Sequence, residues 1–168
     1  MCGLKSKLLN PDFENLIKSY DVLVFVESKL NKLDELKIPH DYSVYSKCRK
    51  KCKRRSGGIA IVYKKSFSIF LNFLNSESEY VQWVEFYKDV FGPCDKGLLH
   101  SNFLLGCVHL PPGSSKLSSE EAFIEIENEM IRFSNNHSNI ALVGDFNARS
   151  VKLCDIVEID EYFFYMLM

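Results

Sequence analysis

The chain has 168 residues, of which 46% are apolar, 26% charged and 13% aromatic. That is the balance of one ordinary globular domain, long enough to bury about two-thirds of its unfolded surface, and it excludes a disordered tail, a collagen-like fibre and a coiled coil. Twenty-one basic residues against 22 acidic ones leave a net charge of −1, so no global field draws the protein to polyanions.

Taken in chain order, Asn10 followed by Pro11, Asp12 and Glu14 predicts a helix start: a capping side chain, proline in the first turn, then acids at the positive end of the dipole. Phe13, Leu16 and Ile17 give that helix its apolar face. The run DVLVFV over 21–26 reads as a strand covered on both faces. A helix is predicted around 29–37, then a short strand near 41–46 and a basic loop. Gly57-Gly58 opens the run Ile59 to Tyr63, and Phe67 to Phe73 follows so closely that a hairpin is predicted. Two further strands fall at 80–87 and 102–110, the second stopped by Pro111-Pro112-Gly113. Ser118 and Glu121 form a capping box ahead of a helix with an apolar stripe of Phe123, Ile126, Met130 and Phe133. Asn139 to Val143 is a last buried strand, leading into Gly144-Asp145-Phe146-Asn147. Many strands with few helices, no repeat and no linker predict a single α/β (α+β) domain over 1–168, built as a sandwich of two sheets.

No stretch reaches the ~18–20 apolar residues of a membrane span, and the first residues lack the apolar core of a signal peptide. The expectation is an intracellular protein, open to nuclear access, with no membrane partner. Its six cysteines are then reduced thiols, and Cys48-x-x-x-Cys52 lacks the second Cys/His pair of a zinc site.

Chemistry is expected where buried strands end. Glu27 follows DVLVFV, His109 closes LLGCVH, and Asp145 and Asn147 follow IALVG. A strand-end carboxylate suits Mg²⁺, a hard cation that keeps several waters. A second carboxylate beside an amide can position a water and stabilise charge on a phosphoryl oxygen. Between Lys47 and Arg55, seven of nine residues are basic: Lys47, Arg49, Lys50, Lys51, Lys53, Arg54 and Arg55. On a near-neutral chain such a loop can make local phosphate contacts.

The ordered set Glu27-Ser28, GGIAI (57–61), a strand ending in Pro111-Pro112 and LVGDFNAR (142–149) resembles the endonuclease/exonuclease/phosphatase superfamily. Its wording is most similar to the endonuclease domain of non-LTR (LINE-type) retrotransposons. The resemblance covers almost the whole chain, and GDFN is its most specific piece. It implies a four-layer α/β/β/α sandwich of two mixed sheets and in-line attack of water on a DNA phosphodiester, with Mg²⁺ (or Mn²⁺) neutralising developing charge. It implies that Glu27 binds the metal, Asp145 orients or deprotonates the water and Asn147 binds the scissile phosphate. His109 stands where a phosphate-binding Tyr is common. In the parent element a reverse-transcriptase region would lie on the same polyprotein.

The same resemblance implies a domain truncated at both ends. The Asn of an N-x-x-G-L opening would precede Met1, and no Ser-Asp-His follows Asn147, where the chain ends in EYFFYMLM. The first strand and the C-terminal strands and loop are expected to be missing, and activity to be impaired. The alternative reading is a non-catalytic remnant that binds nucleic acid through 47–55; another keeps the superfamily but exchanges DNA for a phospholipid.

Overall fold

The computed structural model describes residues 3–49, 56–91, 101–110 and 119–147. Leu4–Lys7 (α1) and Pro11–Lys18 (α2) come first, followed by strands Val22–Val26 (β1), Tyr42–Lys47 (β2) and Ile59–Lys64 (β3). A 3-10 helix over Lys65–Phe70 leads to Leu71–Leu74 (β4) and Val81–Phe86 (β5). Phe103–His109 (β6), Ser119–Ser134 (α3) and Asn139–Asp145 (β7) complete the order.

The strands make two sheets, in the orders β1-β3-β2 and β4-β5-β6-β7. Pairing is antiparallel everywhere except between β6 and β7, which run parallel with α3 in their crossover. The second sheet is thus mixed as expected, whereas the described strands of the first are all antiparallel.

Side chains alternate across each strand and so divide the apolar residues among three layers. Ile59 and Ile61 of β3, Val84 and Phe86 of β5, and Leu105 and Cys107 of β6 meet between the sheets. Ala60 and Val62 face outward, onto Leu4, Leu8 and Ile17 of the N-terminal helical segment. Val81, Trp83, Leu104 and Val108 face the opposite way, onto Ala122 and Ile126 of α3. Helix, sheet, sheet and helix are therefore stacked in four layers. Asn10 caps α2 as predicted, its Oδ1 accepting the Asp12 N–H at 3.0 Å.

Three expectations are corrected. Residues 29–37 form no helix: Asn31 Oδ1 accepts the Leu33 N–H and Asp34 Oδ2 accepts the Asn31 N–H, a local turn that competes with helical pairing. The hairpin of 59–63 with 67–73 does not form. No residue between Tyr63 and Phe67 offers the positive φ of a tight turn, and the 3-10 helix carries the chain across to the other sheet, where β4 pairs with β5. In α3 the buried positions are Ala122, Ile126 and Glu129, while Phe123 and Met130 are exposed. The proposed cap Ser118, the Pro-Pro-Gly stop, the GDFNAR tail beyond Asn147 and the terminal EYFFYMLM lie outside the described residues. No helix among the described residues is long and apolar enough to cross a membrane.

Candidate functional site

Both sheets bring their chemistry to one edge. Val26 pairs with Ile59 and Lys47 pairs with Ile59, so the ends of β1 and β2 lie beside the start of β3. In the second sheet, parallel pairing sets His109 directly against Asp145, and the start of β5 lies alongside. Lys47 joins the two sheets, its Nζ donating to the carbonyls of Ser76 (3.2 Å) and Val81 (3.0 Å). Although read as a loop residue, Lys47 is the last residue of β2 and acts as a crosslink.

Glu27 leaves β1 with φ +52, a left-handed conformation that costs a branched or long side chain energy. Its side chain is 42% exposed, and Oε1 lies 3.2 Å from Lys29 Nζ. Asn147 is also left-handed, at φ +44. It is fixed from both ends: its N–H donates to Asp145 Oδ1 at 2.9 Å and its Nδ2 donates to the Leu110 carbonyl at 2.6 Å. Asp145 is exposed, and its own carbonyl accepts the Leu110 N–H at 2.8 Å. Gly144, at φ +136, makes this register possible, because a Cβ there would fall on the backbone of Val108.

His109 is 7% exposed. Burial, then the nearby charge of Arg49, pushes its pKa below 6.5, against an opposite pull from Asp145 and Glu27. A neutral imidazole results, able to donate one hydrogen bond. Glu27, Arg49 and Asp145 are thus the charges that bear on this imidazole. Arg49 is folded inward, with its guanidinium carbon 5.1 Å from the centroid of the Tyr80 ring, and Tyr80's carbonyl accepts the His109 N–H at 2.9 Å. Lys50, Lys51, Lys53, Arg54 and Arg55 lie outside the described residues.

The donors fit a hard divalent cation in a limited way. No group of three or more His, Cys, Asp or Glu that could hold a metal occurs among the described residues. One half-exposed carboxylate, Glu27, suits Mg²⁺, which binds through one or two carboxylates and retains waters, provided that Lys29 gives way. Cys107 takes no part, because burial pushes its thiol up to about 12.

Of the residues singled out in the sequence, His109, Asp145 and Asn147 lie together at this edge, and Glu27 stands just past the end of β1. Nothing in the sequence marked Lys29 as the partner of Glu27, Tyr80 as the platform for Arg49, or the buried Glu129. Glu129 accepts from Ser76 Oγ (2.7 Å), the N–H groups of Glu77 (2.6 Å) and Ser78 (3.0 Å), and Trp83 Nε1 (2.6 Å). It thereby fixes the 76–78 turn whose Ser76 carbonyl holds Lys47. An acid in a predominantly acidic helix gave no signal that it points inward.

A model of the Endonuclease/Exonuclease/phosphatase family matches residues 6–152. Sixteen chains of solved structures match. One of them, the human Nocturnin catalytic domain with bound sulfate anion, is similar at 11% sequence identity and a TM-score of 0.49, with 98% of this chain and 65% of that chain covered. This chain thus spans less than two-thirds of that domain's length. No curated protein matches.

Proposed function

The chain belongs to the endonuclease/exonuclease/phosphatase family, and from that premise we propose that it is a phosphodiester hydrolase of retroelement, LINE-type origin that nicks DNA with the help of Mg²⁺ (or Mn²⁺). The reading is carried by one observation: the parallel register that seats His109 beside Asp145, with Glu27 and Arg49 both close enough to bias the same imidazole.

In this reading Asp145 Oδ1 stays bound to the Asn147 N–H, and the remaining carboxylate oxygen accepts a proton from the attacking water. Asn147 uses one amide N–H on Leu110 and offers the other to a phosphoryl oxygen, where charge grows in the transition state. His109, held neutral by burial, donates to a second oxygen. Glu27 would hold the metal, which when bound supplies charge neutralisation at the phosphate. Residues 50–55 would grip the DNA backbone without reading sequence. In the parent element a reverse-transcriptase region would lie on the same polyprotein.

The test is nicking of supercoiled plasmid by the purified chain in Mg²⁺. Glu27→Gln and Asp145→Asn should each lower the rate by about 10²-fold or more. Cleavage that persists unchanged in Asp145→Asn overturns the mechanism. Faster hydrolysis of a phospholipid headgroup than of DNA overturns the substrate.

A further inference from the structure

Ser28 Oγ and Arg49 Nη2 are the two buried side-chain polar atoms with no hydrogen-bond partner among the described residues. An unpaired buried donor is costly, and a charged one more so. These two groups flank one pair of adjacent glycines. A Cβ on Gly57 would lie 2.8 Å from Arg49 Cδ, and a Cβ on Gly58 would lie 2.8 Å from Ser28 Oγ. The glycines are themselves buried and left-handed, at φ +71 and +86, so any other residue pair there would be strained and would crowd both groups.

The rest of Arg49 is already fixed. Its guanidinium lies over Tyr80, whose carbonyl anchors His109, and its charge acts on His109 in the sense opposite to Asp145 and Glu27. Stacking on the ring leaves the planar fork preorganised while one edge stays unpaired. A guanidinium can only donate, and a serine hydroxyl donates readily. Two unpaired donors, one permanently charged, call for an oxyanion.

We propose that Arg49 and Ser28 form an inner anion subsite that takes a phosphoryl oxygen of the substrate beside the Glu27–His109–Asp145 centre. Arg49 then contacts substrate at the reaction centre, unlike a solvated residue of a basic loop. That the anion belongs to a phosphate ester rests on the function proposed above; the subsite itself also takes free phosphate.

The two ideas can be separated experimentally. The purified chain is titrated with inorganic phosphate by calorimetry in EDTA, where no divalent cation contributes. Arg49→Met keeps the aliphatic stem against Tyr80 and removes the guanidinium; affinity should fall at least ~10-fold, as for loss of a charge-assisted hydrogen bond. Ser28→Ala should lower it by about 2- to 10-fold, and Arg49→Lys should lie between wild type and Arg49→Met. Glu27→Gln should leave phosphate affinity intact or raise it. In the nicking assay Arg49→Met should raise KM as well as lower kcat. Absence of saturable phosphate binding, or wild-type affinity in Arg49→Met, overturns the subsite. If circular dichroism shows Arg49→Met unfolded, Ser28→Ala decides, because its hydroxyl makes no bond within the fold. Phosphate binding that depends on Arg49 in a chain that never nicks DNA would sink the proposed function and leave the subsite standing.

Discussion

Glu27 and Asn147 both hold left-handed backbones, and such strain at a site persists only where surrounding contacts impose it. Around His109 the imposition is electrostatic. Burial is the larger cause of its lowered pKa and Arg49 the next. The unfolded chain therefore takes up a proton near the ordinary value of 6.5 that the folded chain resists. Stability should fall as pH drops through 6.5, by up to about 1.4 kcal/mol per pH unit until the folded value is reached. His109→Gln, which cannot titrate, should lose less stability between pH 7.5 and 5.5 than wild type; equal urea-unfolding losses in the two proteins would show that His109 titrates normally. Glu85 acts in a lower window. Burial pushes its carboxyl up, but hydrogen bonds from Asn102, Asn72 and His137 outweigh this and leave it below 4.5. Its stabilisation is present above 4.5 and is lost only as pH falls through the lowered value. The principal residues of the candidate site were legible because each stands at the end of an apolar run. Tyr80 was not, because its ring and carbonyl meet Arg49 and His109, which other strands carry to it.

At the scale of elements, strands were read more reliably than what lies between them. β1, β3, β6 and β7 fall where continuous apolar runs fall, since a strand buried on both faces needs no periodicity to reveal it. The segment 29–37 carries Leu30, Leu33 and Leu36 in good helix formers, yet Asn31 turns it locally and Leu33 is left 90% exposed. In α3 the stripe is displaced because Glu129 is drawn inward by Trp83 Nε1 and two backbone N–H groups. Apolar periodicity cannot anticipate a buried acid. Glu129→Leu should therefore cost about 2–5 kcal/mol despite its greater hydrophobicity, because each buried donor left unpaired costs about 1–3 kcal/mol. Urea unfolding followed by Trp83 fluorescence measures it. A cost below ~1 kcal/mol would mean that the 76–78 turn holds without the carboxylate. The β6–β7 pairing depends on Gly144 in the same way. Gly144→Ala would set a Cβ against the Val108 backbone, which cannot yield as a side chain can, so loss of the His109–Asp145 register should abolish the proposed nicking together with cooperative folding.

At the scale of the whole molecule, the site exists only while the two sheets face each other. Glu27 and Arg49 come from the first sheet and its flanks, His109 and Asp145 from the second. Ile61 is fully buried between the sheets, packed in one cluster with Val84 and Cys107. Ile61→Ala should cost about 2–5 kcal/mol, the usual range for truncating a buried aliphatic side chain in a close-packed core. The only tryptophan, Trp83, lies on the far side of the second sheet, against α3, so its fluorescence reports on a part of the molecule that Ile61 does not touch. If the two sheets unfold as one unit, Ile61→Ala should lower the Trp83 melting midpoint by about 4–20 °C, scaling the cost by the response of a domain of this size. Below that midpoint the proposed nicking should be as fast as in the unaltered chain, since no group of the candidate site is changed. A Trp83 transition that stays in place while circular dichroism of the first sheet shifts would show two independently melting layers, and the edge where Glu27 meets His109 would then open before the molecule unfolds.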